Sequence, residues 1–169
     1  MKPKIICIVG ASGSGKTTLT KHVSASLVPT LVSYTTRPKR ENEVDGQDHY
    51  FVSEEQMPDK SEMLAYTKFG GYHYWTSVSQ AKTCRACLYV IDEKGLMNLL
   101  ENYDDQFDIK TIKIKCSDET LKCRVDESRL QRDRCRVIIE DKGFDKIIYN
   151  DGTLEEFINQ GINAIKELL

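Results

Sequence analysis

Residues 5 to 18 of the chain read IICIVGASGSGKTT, and they decide the fold. The run from Ile5 to Val9 is apolar and β-rich, which predicts a buried parallel strand. Gly10 to Thr17 then match the pattern G-x-x-x-x-G-K-S/T at every fixed position. The residues that follow predict a helix from about Gly15 to Leu27. A strand, a glycine-rich loop and a helix in this order predict a phosphate-binding loop.

The chemistry of such a loop is anion binding. Its backbone N–H groups point inward, and the N-terminus of the following helix adds partial positive charge. Lys16 would reach the β- and γ-phosphates of ATP, and the Thr17 hydroxyl would ligate Mg²⁺. The ATP-binding residues expected here are Gly10, Ala11, Ser12, Gly13, Ser14, Gly15, Lys16, Thr17 and Thr18. The alternative is a glycine-rich turn without a ligand, but the strand and helix beside it argue against that.

The composition indicates one globular domain over residues 1–169. A net charge of −2 gives no field that would attract nucleic acid or an anionic membrane. No apolar run approaches the roughly 20 residues of a membrane span. The six cysteines are scattered, and the pair Cys84-x-x-Cys87 could suggest a redox or metal site. Because no second such pair accompanies it, we expect reduced, structural thiols in a cytoplasmic protein.

Strand and helix patterns alternate along most of the chain. Further core strands are predicted at Leu31–Ser33, Ala86–Ile91, Ile109–Lys115 and Phe144–Tyr149, with later helices at Lys94–Tyr103, after Ser117 and from Thr153. The alternation predicts an α/β, three-layer P-loop NTPase fold with a parallel five-stranded sheet and helices on both faces. Ligands bind such sheets at the carboxyl ends of the strands. The candidate residues at these ends are Gly10, Ser33, Asp92 and Asn150.

Two segments depart from this alternation. Residues 34–80 are β-rich, with a charged loop over 34–48 and two runs around Gly70-Gly71 that predict a hairpin. We interpret them as an insertion between core segments 1–33 and 81–169.

The second segment is rich in arginine, and it is predicted to form a short lid over about residues 125–141. Its arginines are Arg129, Arg132, Arg134 and Arg136, and Arg124 directly precedes it. Such a lid would close over the γ-phosphate of ATP and neutralise its charge. The alternative is a solvated helix face. The phosphate-binding loop favours the lid, because so many arginines need an anion.

The insertion resembles that of the guanylate kinase family. Ser33 to Arg40, SYTTRPKR, resembles the family pattern S-x-T-T-R-x-P-R, and Glu43 to Phe51 resembles G-E-x-x-G-x-D-Y-x-F. Phe69 to Thr76 resembles G-x-Y-Y-G-S/T, and Asp145 to Asp151 resembles the last strand. The matches span nearly the whole chain in the family's order. The resemblance implies an ATP-dependent nucleoside monophosphate (NMP) kinase.

The resemblance also implies roles for individual residues. The acceptor NMP would be bound by Ser33, Arg37, Arg40, His49, Tyr74, Thr76 and Asp92. The donor adenine would lie between Arg124 and Asn150, and Thr17 and Asp92 would bind Mg²⁺. The catalytic residues would be Lys16, Arg37, Arg129 and Arg132. The residue types agree with these roles, since paired arginines bind phosphate bidentately.

Several positions depart from the family pattern near the acceptor base. The family's guanine-reading Glu corresponds, in an ungapped match, to Ala65, with Glu62 three residues away. His49 replaces a Tyr that touches the substrate phosphate, Trp75 replaces a Gly and Val90 replaces an acid. These changes leave the phosphate chemistry intact and the identity of the base open.

We therefore expect an enzyme that transfers the γ-phosphate of ATP, with Mg²⁺, to GMP or a related (deoxy)nucleoside monophosphate. It would act as a monomer or weak dimer. Two alternatives stay open: a non-catalytic guanylate-kinase-like binding module, and a P-loop kinase for another phosphorylated small molecule. Binding modules of this type lose the loop lysine or the phosphate clamp, whereas this chain keeps Lys16, Arg37 and Arg40.

Overall fold

The computed structural model describes residues 2–24 and 27–169, and within them the side chain of Arg132 is not described. The strands are β1 Lys4–Gly10, β2 Thr30–Leu31, β3 Tyr34–Thr35, β4 Tyr50–Phe51, β5 Met63–Phe69, β6 Tyr72–Ser77, β7 Ala86–Val90, β8 Asp108–Lys115 and β9 Lys146–Tyr149. The helices are α1 Lys16–Ser24, α2 Val78–Lys82, α3 Glu93–Tyr103, α4 Asp118–Arg124, α5 Glu127–Asp133 and α6 Leu154–Leu168. Among these described residues, no helix has the length and apolar character needed to cross a bilayer.

The central sheet is parallel and five-stranded, in the order β2-β7-β1-β8-β9. Its first strand, β1, lies in the middle, because it pairs with β7 on one side and β8 on the other. This arrangement confirms the predicted α/β fold. It also brings the end of β1 to the crevice between neighbouring strands, where such sheets bind ligands.

Helices cover both faces of this sheet, and the side chains of β1 alternate between them. Ile6 and Ile8 pack with α1 and α6, through residues such as Leu19 and Phe157. Ile5, Cys7 and Val9 pack on the opposite face, where α3 contributes Leu96 and Leu99. Because both faces are buried, a continuous apolar run at β1 reads correctly as a central parallel strand.

The insertion forms a second sheet of four strands, in the order β4-β3-β6-β5. The predicted hairpin is β5–β6, which turns at Gly70 and Gly71 with φ of 60° and 85°. Within β5 the pairing register shifts between Leu64 and Thr67, which marks a β-bulge. Ala65 lies in this bulge with a φ of 55°, in the left-handed region.

Some element boundaries differ from the sequence predictions. The first helix is described only to Ser24, and residues 25 and 26 of the predicted helix lie outside the described residues. The segment 34–48 was predicted as a loop, but β3 lies inside it because it pairs with both β4 and β6. The alternating pattern of residues 49–53, HYFVS, predicts a strand, but only Tyr50–Phe51 forms one, β4. β3 is defined by its partners, and the local sequence pattern carries no signal for it.

Candidate active site

The phosphate-binding loop joins β1 to α1 and is held by a residue from the far end of the chain. Gly13 and Gly15 have φ of 76° and 103°, which a side chain would strain. A Cβ at Gly15 would lie 2.5 Å from Asn150 Nδ2, so glycine is needed for space as well. The buried Asn150 amide donates to the Ser14 carbonyl oxygen at 2.8 Å. The conformation of the loop is therefore supported by buried residues of the core.

Lys16 folds back over this loop. Its Nζ donates to the carbonyl oxygens of Gly10 at 2.7 Å and Ala11 at 2.9 Å. Desolvation, with a smaller contribution from the nearby Arg136 cation, lowers the pKa of Lys16 to about 8. Two neutral carbonyls only partly stabilise the ammonium, so phosphate oxygens at this position would favour its charged form.

A carboxylate from the arginine-rich segment lies on the same loop. Asp133, the last residue of α5, accepts a hydrogen bond from the Ser12 backbone N–H at 2.6 Å. Its other oxygen accepts from the Ser12 hydroxyl at 3.1 Å. These donors belong to the set that a phosphate-binding loop offers to phosphate. In this structure the loop therefore binds an anion from its own chain.

The two arginines of the insertion meet at Glu43. Arg37, which is 8% exposed, donates to both carboxylate oxygens of Glu43 at 2.7 and 2.9 Å. The Arg40 backbone N–H adds a bond of 2.8 Å, and its guanidinium lies 3.5 Å away. Although burial opposes it, hydrogen bonding from Arg37 and Arg40 lowers the pKa of Glu43 to about 2. Glu43 thus fixes the geometry of the predicted phosphate clamp.

Ser33, His49 and Tyr74 lie beside this clamp. The Ser33 hydroxyl is 2.8 Å from His49 Nδ1, and the rings of His49 and Tyr74 meet edge to face at 6.1 Å. Burial, followed by the nearby Arg37 cation, lowers the pKa of His49. At neutral pH the imidazole is therefore neutral in the free protein, and it would gain charge only beside an anion.

Asp92 follows β7 and caps α3, where its carboxylate accepts from the Gly95 N–H at 2.7 Å. Burial raises its pKa. The next residue, Glu93, forms a bidentate ion pair with Arg136 at 2.6 and 2.9 Å. This pair ties the end of the arginine-rich segment to the acceptor side of the site.

One cleft collects most of these groups. It is lined on the donor side by Gly10, Ser12, Lys16, Arg129, Asp133 and Arg136, and on the acceptor side by Ser33, Arg37, Arg40, His49, Ala65, Thr67, Phe69, Tyr74, Tyr89, Val90, Ile91 and Asp92. A nucleotide on the loop and a nucleotide on the clamp would therefore share one space. The predicted donor and acceptor regions are adjacent in the described fold.

Other predicted site residues lie outside this cleft wall. Thr17 is exposed at the start of α1 and lines a neighbouring groove with Arg40. Arg124 lies on the outer side of the loop, with Nη1 3.4 Å from the Gly13 carbonyl oxygen. Thr76 is fully buried, and its hydroxyl donates to Gln80 Oε1 at 2.8 Å. The hydroxyl expected to bond a base is thus engaged inside the insertion.

The arginines of the segment do not act as one group. Arg129 and Arg136 line the cleft, whereas Arg134 is exposed and lies 3.9 Å from Glu127. The side chain of Arg132, predicted to be catalytic, lies outside the described residues. Its role stays a prediction, as does that of Arg129.

The acceptor base region has an unusual wall. Ala65 is 1% exposed and lines the cleft at the position expected for the guanine-reading acid. Glu62 is exposed in a 3₁₀ turn, Lys60–Glu62, before β5. The bulge therefore does not carry Glu62 into the cleft wall.

Sequence reasoning assigned no role to four groups of this site: Glu43, Glu93, Asp133 and Thr67. The acids among them pair with residues of the clamp, the lid and the loop. Asp133 offered a usable signal, because it is an isolated acid within an arginine run. Glu43 lies in the same loop as its partner Arg37, whereas Glu93 and Arg136 are brought together by tertiary packing. Thr67 has no hydrogen-bond partner for its hydroxyl among the described residues.

Comparisons with known proteins give a consistent result. The family model described as guanylate kinase matches residues 2–168. A guanylate kinase from Chlorobium luteolum is 31% identical, over 98% of this chain and 92% of that protein. A guanylate kinase from Thermotoga maritima is 28% identical, over 98% and 87%. The crystal structure of guanylate kinase from Anaplasma phagocytophilum superposes with a TM-score of 0.74 at 23% identity, covering 98% of this chain and 86% of that one, which supports the fold.

Proposed function

The chain belongs to the guanylate kinase family, and from that premise we propose that it transfers the γ-phosphoryl group of ATP to the 5′-phosphate of GMP or a related (deoxy)nucleoside monophosphate. The observation that carries the proposal is the shared cleft. Lys16 and the Arg37–Arg40 pair line the same space, so a donor triphosphate and an acceptor phosphate would meet there. A non-catalytic module would need neither group.

The mechanism is positioning and charge stabilisation. The acceptor phosphate is already an anion, so no general base is required. Arg37 and Arg40 would hold this phosphate, oriented by Glu43, with Tyr74 and His49 at its side. Lys16 and Arg129 would stabilise charge that develops on the transferring group.

Mg²⁺ would accompany ATP. Thr17 offers an exposed hydroxyl at the start of α1, and Asp92 offers a carboxylate in the cleft wall. Oxygen donors of this kind suit Mg²⁺, which binds proteins through few side chains and keeps phosphate and water ligands. An ion bound by these oxygen donors would neutralise phosphate charge.

The donor adenine would lie near Arg124, the last residue of α4, on the outer side of the loop. Asn150 would act at the same side through the loop backbone, since its amide already donates to Ser14.

We also propose a cytoplasmic monomer or weak dimer. Six free cysteines, of which Cys123 and Cys135 are exposed, suit a reducing compartment.

The acceptor is tested by a panel of GMP, dGMP, AMP, dTMP and CMP with ATP and Mg²⁺, read out as ADP formed. We expect turnover with at least one purine monophosphate, and loss of at least about 100-fold in Lys16→Ala. The matched control is Lys21→Ala, because Lys21 is an exposed α1 lysine paired with Asp48 at 3.2 Å. No turnover with any acceptor, or equal turnover in Lys16→Ala, would refute the proposed function.

A further inference from the structure

Thr67 lies in the cleft wall opposite its strand partner Tyr74, and its hydroxyl oxygen is fully buried. The residue is 7% exposed and lines the cleft wall. Among the described residues, its Oγ1 has no hydrogen-bond partner. A buried hydroxyl that is left unpaired destabilises a protein. Its position at a ligand cleft therefore points to a partner that arrives with the ligand.

The position of Thr67 on β5 follows from the bulge. Before the bulge Leu64 pairs with Thr76, and after it Thr67 pairs with Tyr74. Ala65, Thr67 and Phe69 all line the cleft, two residues apart along the strand. Thr67 thus lies beside Ala65, where the family pattern places its base-reading acid, and across the strand pair from Tyr74.

The surroundings of Thr67 suit a base better than a phosphate. The cleft wall contributed by β5, β7 and the residue after β7 includes Ala65, Phe69, Tyr89 and Ile91, which are apolar or aromatic. The phosphate-binding cations of the acceptor side, Arg37 and Arg40, come from the loop after β3. Largely apolar and aromatic walls with a few polar groups are typical of pockets for small molecules, and they suit a base better than a phosphate.

We propose that Thr67 Oγ1 hydrogen-bonds the acceptor base and determines which base is preferred. This proposal rests on the proposed kinase function and adds a specificity-determining residue to it. A threonine hydroxyl both donates and accepts, whereas a carboxylate only accepts. A site with alanine at residue 65 and threonine at residue 67 therefore suits purine monophosphates with or without the 2-amino group, such as GMP and IMP.

The test uses two substitutions at one position. Thr67→Val removes the hydroxyl and keeps the shape, whereas Thr67→Ser keeps the hydroxyl. Initial rates are measured with ATP and, in turn, GMP, dGMP, IMP and AMP, and melting temperatures are recorded for both variants. Thr67→Ala removes the same hydroxyl if valine is not accommodated.

We expect Thr67→Val to melt at or above the wild-type temperature, because it removes an unpaired buried polar group. Its kcat/KM should fall roughly 3- to 10-fold for the preferred base, the size of one lost hydrogen bond. The fall in kcat/KM should be equal for GMP and dGMP, which share a base. It should be smaller for an acceptor whose base the wild-type protein disfavours. Thr67→Ser should stay within about twofold of wild type for every acceptor.

An equal loss for all bases, no loss, or a loss that separates GMP from dGMP would overturn the proposal. The first result would indicate a phosphate contact and the last a ribose contact. Wild-type protein without activity towards any acceptor would overturn the kinase function, and the Thr67 proposal with it. Active wild-type protein with a uniform loss in Thr67→Val would overturn the Thr67 proposal alone.

Discussion

Asp133 Oδ2 lies 2.6 Å from the backbone nitrogen of Ser12, so the last residue of α5 is hydrogen-bonded to the phosphate-binding loop. The same carboxylate accepts from the Ser12 hydroxyl. The arginine-rich segment therefore contacts the donor site through an acid. Phosphate oxygens and this carboxylate would compete for the same Ser12 donors.

The first prediction concerns this competition. Asp133→Asn keeps the size of the side chain but removes its charge, so displacement by phosphate becomes easier. We expect ATP to bind roughly 3- to 10-fold more tightly, because the Asn oxygen still accepts a neutral hydrogen bond and only the additional strength of the charged one is lost. Titration calorimetry measures the affinity. Glu127→Gln is the control, since it removes one charge at an exposed position of the same helix. Equal tightening in both variants would attribute the effect to net charge.

A second prediction separates the two arginines of the clamp. Arg37→Ala and Arg40→Ala should each raise the acceptor KM and leave ATP affinity nearly unchanged, because both line the proposed acceptor side of the cleft. Arg37→Ala should also destabilise the protein by about 1–3 kcal/mol, since it leaves the Glu43 carboxylate without its bidentate partner. Arg40 is more exposed, so its removal should cost less.

Urea unfolding and ATP titration measure these effects separately. A matched loss of ATP affinity in either variant would contradict the assignment to the acceptor. An equal loss of stability in both would contradict the distinct structural role of Arg37.

The third prediction concerns acid. The folded-state pKa of Glu43 is about 2, below its ordinary value of 4.5. Glu43 therefore contributes stability that is fully present above about pH 4.5 and is lost as the pH falls towards 2. Glu43→Gln should flatten the fall of the melting temperature across this window. Glu41→Gln, an exposed acid of the same loop, should not. Parallel curves for wild type and Glu43→Gln would show that Glu43 is not the group responsible.

The fourth prediction concerns the base. Ala65 lines the cleft while Glu62 is exposed, so Ala65→Glu would place an acceptor for guanine's two donors in the pocket. We expect kcat/KM for GMP relative to AMP to rise at least about 10-fold. Glu62→Ala should leave this ratio unchanged. An inert Ala65→Glu together with a damaging Glu62→Ala would mean that Glu62 already reads the base.

The core was predictable because its signals are local. The run Ile5–Val9 encodes a strand buried on both faces, and the motif that follows fixes the loop and the helix start. Tertiary pairing was not predictable in the same way. Ser12 and Asp133 are 121 residues apart, and no local periodicity joins them. Neither could the sequence reveal that the Thr76 hydroxyl is engaged by Gln80, since that requires the turn from β6 into α2.

The bulge in β5 is a second feature that local sequence could not predict. An ungapped match aligned Ala65 with the missing acid, and that alignment needed no structure. The register shift between Leu64 and Thr67, however, arises from the pairing with β6. The unpartnered Thr67 hydroxyl became visible as a functional candidate only once its burial was known.

The hydrogen bond from Asn150 to Ser14 has a consequence for how the chain matures. The two residues are separated by 136 positions, yet the amide sits against the backbone of the phosphate-binding loop. During synthesis the loop leaves the ribosome well before β9 and Asn150, which follows it. The loop therefore receives this support only once β9 has docked at the edge of the sheet. A nascent or truncated chain would carry the complete motif and still lack a rigid site.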